Sequence, residues 1–132
     1  MLKTEPCILL NYQQYTKHAE TAKPMHAENG FWKVFNPGAD GVRKVQASFS
    51  HPFSLNEFEH GSVGQHEGRA MITMSATTEN FQRPAGAEPQ AKMTTAVKRE
   101  FWLDQDNCLN YKLYLGVNGA EPYHHLSSKL CK

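Results

Sequence analysis

Apolar and polar residues alternate along most of this chain, and the alternation has a period of two. The clearest run is residues 109–117 (LNYKLYLGV), in which every odd position is apolar. Residues 70–76 show the same alternation, and residues 31–35, 42–49 and 93–103 show weaker forms of it. Since successive side chains of a strand point to opposite faces of a sheet, each run predicts a half-buried β-strand.

Turn-forming residues separate these runs. Gly, Asn, Asp and Pro cluster at residues 36–41, 104–107 and 118–122, and residues 61–68 fit a strand-turn-strand unit. Residues 81–90, with two prolines and a glycine, predict a longer surface loop. Residues 7–15 fit either a strand or a short helix. Because no amphipathic helix of about ten residues or more is indicated, the predicted class is all-β and antiparallel, either a barrel or a sandwich.

Length and composition describe one globular domain spanning residues 1–132. Lys and Arg number 14 against 13 Asp and Glu, so no basic field for nucleic acid is expected. The mean hydropathy of −0.62 and the lack of a long apolar run predict no membrane association. The three cysteines form no Cys-x-x-Cys pair, which predicts reduced thiols and a cytoplasmic location.

The sequence contains none of the common catalytic motifs, such as Gly-x-Ser-x-Gly, a phosphate loop or His-Glu-x-x-His. Two carboxylate pairs, Glu57 with Glu59 and Asp104 with Asp106, have the spacing that puts both members on one face of a strand or turn. We expect solvent to be the neighbour of both pairs. The charged segment at residues 16–28 is interpreted as a solvated hairpin connection. No catalytic acid–base side chain is therefore predicted.

Histidine is the residue type that stands out, with seven copies. Neutral imidazole binds zinc, iron or haem iron. Adjacent strand residues point to opposite faces, so His124 and His125 do not easily chelate one ion, and no structural zinc site is predicted. A single histidine is enough as an axial haem ligand, and His125 begins a C-terminal strand after a Pro-containing turn. On spacing alone, a surface imidazole remains the favoured interpretation of His125.

Four blocks of sequence, in order and covering most of the chain, resemble the nitrobindin family. The first is KPMHAENGF at residues 23–31, and the second is HP at 51–52 followed by LNEFEHG at 55–61. The third is KREF at residues 98–101, and the last is the hairpin at 109–126 that ends in His-Leu. Nitrobindins are haem-binding β-barrels with the shape of fatty-acid-binding proteins.

This resemblance implies an antiparallel up-and-down β-barrel of the lipocalin or fatty-acid-binding-protein type. It implies ferric haem b as the cofactor, with His125 as the axial iron ligand and the cofactor-binding residue. The family activity would be binding of nitric oxide and the haem-dependent isomerisation of peroxynitrite to nitrate, with no catalytic side chain. His26 would either face the pocket or make a hydrogen bond at a strand end.

The chain departs from the family pattern in two places. The Gly-x-Trp-x-Gly-x-Gly segment of the first family strand is absent, and Leu115-Gly116 stands where the family usually has Met-Ala. We therefore expect a barrel that is incomplete on its N-terminal side, with an exposed edge near the strand of His125. Two alternatives follow: an iron-free carrier of a small, fatty-acid-like apolar ligand, or a truncated non-binding member that either folds poorly or pairs with another chain through the open edge, for example as a homodimer.

The last strand leaves the orientation of His125 open. In HHLSSKL, simple alternation groups His125 with Ser127 and Lys129, opposite Leu126 and Leu130. If the leucines face the lumen, His125 faces outward. For His125 to face the pocket, either the pocket mouth is lined by polar residues or the leucines pack on the outside under a loop.

Overall fold

A computed structural model describes residues 7–52, 54–84 and 93–132. Within these residues the chain forms one antiparallel sheet, and a 3-10 turn at Thr78–Asn80 follows the fifth strand. No helix in the described part is long and apolar enough to cross a membrane. The strands are β1 (Cys7–Lys17), β2 (Pro24–Phe35), β3 (Lys44–His51), β4 (Leu55–His66), β5 (Arg69–Thr77), β6 (Phe81–Gln82), β7 (Thr94–Leu103), β8 (Leu109–Val117) and β9 (Tyr123–Leu130).

The strands follow one another around the sheet in the order β1-β2-β3-β4-β5-β7-β8-β9, while the two-residue β6 pairs with β4. Every pairing is antiparallel, so the chain runs up and down. Among the described residues β1 and β9 do not pair with each other, and the curled sheet keeps two free edges. The predicted all-β, up-and-down and incomplete barrel is confirmed.

The alternating runs predicted most of these strands. The run at residues 109–117 coincides with β8, and residues 7–15 lie in a strand rather than a helix. The strand-turn-strand unit is confirmed, since Glu67 and Gly68 both have positive φ between β4 and β5. Part of the predicted loop at 81–90 instead forms β6, and residues 85–90 lie outside the described residues.

Aromatic rings fill the concave side of the curled sheet. Tyr12 of β1 stacks on Trp32 with 5.2 Å between ring centroids, and Trp32 meets Phe101 of β7 at 4.8 Å. Phe101 in turn stacks on Tyr111 of β8 at 4.5 Å. Strands from both ends of the sheet order therefore contribute to one apolar interior, which requires a strong curl. Further core residues complete it, among them Val45, Ala47, Phe49, Met74 and Val97.

Two glycines permit close approach of neighbouring strands. A Cβ at Gly30 would collide with the backbone carbonyl of Ser48, and a Cβ at Gly61 would collide with that of Thr73. In both cases the obstacle is backbone on the paired strand, which cannot move aside as a flexible side chain could. These positions let β2 approach β3 and β4 approach β5 where the sheet curls.

The prediction of three reduced thiols is wrong in this structure. Cys108 and Cys131 form a disulfide with their Cα atoms 4.5 Å apart, and only Cys7 is a free, exposed cysteine among the described residues. The physical reason lies in the register of β8 and β9, in which Leu109 is opposite Leu130. The two cysteines flank that pair, so they meet at the end of the ladder. Cysteine counting contains no information about strand register.

We predict that Cys131→Ser lowers the free energy of unfolding by about 3 kcal/mol in non-reducing buffer, because the disulfide restricts the unfolded chain. The two cysteines are separated by 23 positions in the sequence. Urea unfolding followed by circular dichroism measures the effect. Cys7→Ser, at an exposed thiol, serves as the control and should match the parent protein. A Cys131→Ser variant as stable as the parent would contradict the prediction.

Candidate functional site

The centre of the concave side holds a buried guanidinium surrounded by three buried carboxylates. Arg99 of β7 and Glu28, Glu57 and Glu59 are each at most 2% exposed. Arg99 donates from Nε to Glu59 Oε2 at 2.7 Å and from Nη2 to Glu57 Oε1 and Glu28 Oε2, both at 3.0 Å. We call these four residues the Arg99 cluster. It links β7 to β2 and β4, which are not its neighbours in the sheet.

Strand alternation explains why these charged groups lie inside. On β4, Leu55, Glu57 and Glu59 are all buried, whereas the residues between them are exposed. The expectation that Glu57 and Glu59 face solvent is therefore wrong: they share one face, as predicted, but it is the buried face. Glu28, at the end of the segment interpreted as a solvated connection, is buried in the same way on β2.

The other carboxylate pair lies where it was expected, in the turn between β7 and β8. Lys129 Nζ of β9 lies 2.8 Å from Asp104 Oδ2 and 3.8 Å from Asp106 Oδ2. Asp104 also accepts a hydrogen bond from Asn110 Nδ2 at 2.9 Å. Hydrogen bonds from Lys129 and Asn110 hold the pKa of Asp104 well below its usual range. This turn is an exposed polar connection rather than part of the interior site.

Two histidines border the Arg99 cluster. His26 Nε2 lies 3.2 Å from Glu28 Oε2, and the His26 side chain is 33% exposed. His51 is nearly buried, with Nδ1 3.6 Å from Glu28 Oε2 and Nε2 3.5 Å from Glu57 Oε1. The two rings are 5.9 Å apart. His26 therefore contacts an interior carboxylate at the solvent-facing side of the cluster.

Two tyrosines complete the hydrogen bonds of the cluster. The Tyr12 hydroxyl donates to Glu28 Oε1 at 2.9 Å, and the Tyr111 hydroxyl accepts from Arg99 Nη1 at 3.1 Å. The Arg99 guanidinium also lies 4.3 Å from the centre of the Phe49 ring, which is a cation–π contact. The cluster is thus joined directly to the aromatic core.

The three carboxyls titrate differently. Burial would raise the pKa of Glu28, but hydrogen bonds from His26 and Arg99 outweigh burial and hold that pKa well below its usual range. Burial likewise opposes ionisation of Glu57, but hydrogen bonds with His51 and Glu59 and the charge of Arg99 lower its pKa to about 2. Burial dominates at Glu59 and, together with the neighbouring Glu57, raises its pKa despite Arg99. Glu59 is therefore the carboxyl that retains a proton most strongly.

The parent protein should lose unfolding free energy as the pH rises from roughly 5 to 8, and we predict that Glu59→Gln makes this loss smaller. A raised folded-state pKa gives stability that is complete below the unfolded value and is lost as the pH rises through the folded value. Glutamine imitates the protonated carboxyl and should remove this dependence. Urea midpoints measured across that pH range, in chelator-containing buffer, give the profile.

The matched control for this prediction is Glu57→Gln. Its lowered folded pKa gives stability that is present above the unfolded value and lost as the pH falls toward about 2. Glu57→Gln should therefore reduce stability at neutral pH and shrink its loss in acid. Identical pH profiles for the two variants would contradict the assignment of the proton to Glu59.

His125 lies away from the Arg99 cluster, on the exposed part of edge strand β9. The register pairs Tyr114 with His124 and Leu113 with Leu126, so His125 is the extra residue of a β-bulge. Leu126 packs against the core, so this leucine of β9 faces the interior, whereas Leu130 is 51% exposed. Because His125 is the bulge residue, the simple alternation of faces along β9 does not apply to it.

The His125 imidazole is exposed on β9. Among the residues that the structure describes, none makes a hydrogen bond, ion pair or ring contact with it. Its neighbour differs, because His124 Nε2 lies 2.7 Å from Ser127 Oγ and the His124 ring contacts Tyr114. An axial haem ligand needs a neutral nitrogen with open space beside it. The exposed side chain of His125 has open space beside it.

Exposed apolar side chains lie on the concave face at the free edge of β1. Ile8 and Leu10 are 54% and 42% exposed, although they pair with the buried residues Val34 and Trp32. Directly paired residues share a face of the sheet, so both side chains point to the concave side. A flat apolar group such as a porphyrin would find apolar surface there.

A family profile described as a THAP4-like, heme-binding beta-barrel domain matches residues 4–132. The chain belongs to this family. Peroxynitrite isomerase 1 of Mycolicibacterium paratuberculosis and peroxynitrite isomerase 2 of Mycobacterium avium are each 34% identical over 121 residues, which cover 92% of this chain and 68% of each relative. The resemblance noted in the four sequence blocks is confirmed.

A solved structure of a protein with a related sequence has a similar fold. The crystal structure of Rv2717c from M. tuberculosis superimposes with a TM-score of 0.69 at 29% identity, covering 92% of this chain and 70% of that one. The two chains share a curled antiparallel fold, which in this chain is an incomplete barrel. Sequence reasoning missed the Arg99 cluster. Its signal was present as charged residues at alternate positions among apolar ones, in Val97-x-Arg99-x-Phe101 and Leu55-x-Glu57-x-Glu59.

Proposed function

We propose that the protein binds haem b through His125, binds nitric oxide at the ferric iron, and acts as a peroxynitrite isomerase that yields nitrate. One observation supports this most directly: in a member of a haem-binding domain family, His125 presents an exposed imidazole without a partner among the described residues. Proteins 34% identical to this chain are named peroxynitrite isomerases. Bound ferric haem would supply a Lewis acid and an electron reservoir.

The residues of the chain have binding and positioning roles in this proposal. His125 would hold the iron, and its place at the bulge leaves it outside the regular pairing of β8 with β9. Ile8 and Leu10 offer apolar surface at the other free edge. The Arg99 cluster maintains the curl of the sheet that brings the two edges toward each other. No side chain is assigned a proton-transfer step.

A second candidate function is an iron-free carrier of a small apolar ligand. The exposed aliphatic side chains on the concave face favour it, because they would be covered by a fatty-acid-like molecule as well as by a porphyrin. This alternative requires lipid to co-purify with the protein and requires His125 to be irrelevant to binding.

Two further properties belong to the proposal. The free edges of β1 and β9 would allow two copies to pair as a homodimer, which size-exclusion chromatography with light scattering would detect.

We also propose a cytoplasmic location. In a reducing cytosol the Cys108–Cys131 pair would be two thiols, so the thiol state of protein taken directly from cells tests the location.

We predict a saturable, shifted Soret band when hemin is titrated into the purified protein. His125→Ala should weaken hemin binding by at least about 10- to 100-fold, as even outer-shell changes do at metal sites. His124→Ala is the matched control, because the adjacent imidazole already has partners. It should bind hemin as the parent does.

Two results would contradict this proposal. A band that is equally strong in His125→Ala and the parent would indicate hemin adsorption without axial ligation by His125. No band from a folded protein would favour the carrier function, and bound lipid detected by mass spectrometry would then support it.

A further inference from the structure

Three side chains at the solvent-facing side of the interior converge as metal ligands do. His26 and Glu28 lie on β2, and His51 ends the adjacent strand β3. One ligand atom from each lies within 4.8 Å of the other two. We propose that His26, Glu28 and His51 form a binding site for a divalent cation of the Zn²⁺ class, separate from His125.

The distances match the edges of a small coordination polyhedron. His26 Nε2 is 3.2 Å and His51 Nδ1 is 3.6 Å from the same carboxylate oxygen, Glu28 Oε2. Ligands about 2.0–2.1 Å from Zn²⁺ in a tetrahedron lie roughly 3.3 Å from one another. Two of the three edges therefore fit within a few tenths of an ångström. Two histidines and one carboxylate also form a common zinc ligand set, which leaves one position for water or a substrate.

The outer contacts of these ligands are those of metal-binding residues. Glu28 Oε1, the oxygen not shared by the histidines, accepts from the Tyr12 hydroxyl and is held by Arg99. The other nitrogen of His51, Nε2, lies 3.5 Å from Glu57 Oε1. A carboxylate on the far nitrogen of a histidine fixes the tautomer that leaves the near nitrogen free for metal. Glu57 has the position for that role.

The charge of the interior also accommodates a divalent cation. The Arg99 cluster contains three carboxyl groups and one guanidinium, so even with Glu59 protonated it carries a net negative charge that a cation would offset. Arg99 Nη2 donates to Glu28 Oε2, the proposed ligand oxygen, at 3.0 Å, so that oxygen would bind the ion through its second lone pair. The partly exposed His26 gives the ion a path from solvent.

Isothermal titration of Zn²⁺ into the full chain tests the site, with Cys7→Ser as the background to remove the exposed thiol. We expect one Zn²⁺ per chain. His26→Ala and His51→Asn should each weaken binding by at least about 10-fold. Co²⁺ added in place of Zn²⁺ should give the visible absorption of a four- or five-coordinate ion. Circular dichroism verifies that each variant is folded.

His60→Ala is the matched control, since His60 is an exposed histidine on the convex face of β4. It should bind Zn²⁺ as the background protein does. Three outcomes would overturn the proposal: no saturable binding by the folded background protein, equal binding by the His26 and His60 variants, or equal weakening in both. Because His26 is partly exposed, its variant tests the site even if the His51 variant does not fold.

Discussion

The guanidinium of Arg99 is the interaction on which the interior of this protein depends. Three carboxylates on the concave face would repel one another without it, and Arg99 reaches all three directly. Its strand, β7, is separated from β2 by three intervening strands in the sheet. The contact with Glu28 is therefore possible only when the sheet curls. Removing one member of such a buried set leaves an uncompensated charge, which typically costs about 3–5 kcal/mol.

The molecule separates a buried polar centre from an exposed candidate ligand. The Arg99 cluster and the aromatic core determine the curvature, and the edge strand β9 carries His125 outside that centre. Exposure suits an axial ligand, because a large planar group can approach it without unpacking the core. Glu28 and the two histidines beside it belong to this buried centre, and they are the residues proposed to coordinate a divalent cation.

Period-two alternation predicted nearly all of the strands, since one face of each strand is buried against the same core. It also predicted that Glu57 and Glu59 share a face. It could not tell whether that face is buried or exposed. Alternation shows only which residues share a face, and the buried partner of Glu59, Arg99, is 40 positions away in the sequence. The Cys108–Cys131 disulfide, like the meeting of His26 with His51, depends on strand register. A single sequence does not encode register locally.

The central claim is that Arg99 stabilises the curled sheet through its carboxylates, above all the one that crosses to β2. A double-mutant cycle of Arg99→Met and Glu28→Gln, measured by urea unfolding, tests this most directly. The account predicts strong coupling between the two residues. The loss of unfolding free energy in the double variant should be smaller than the sum of the two single losses by at least about 1 kcal/mol. Should Arg99→Met not fold, Arg99→Lys replaces it in the cycle. Effects that add to within about 0.5 kcal/mol would contradict the account.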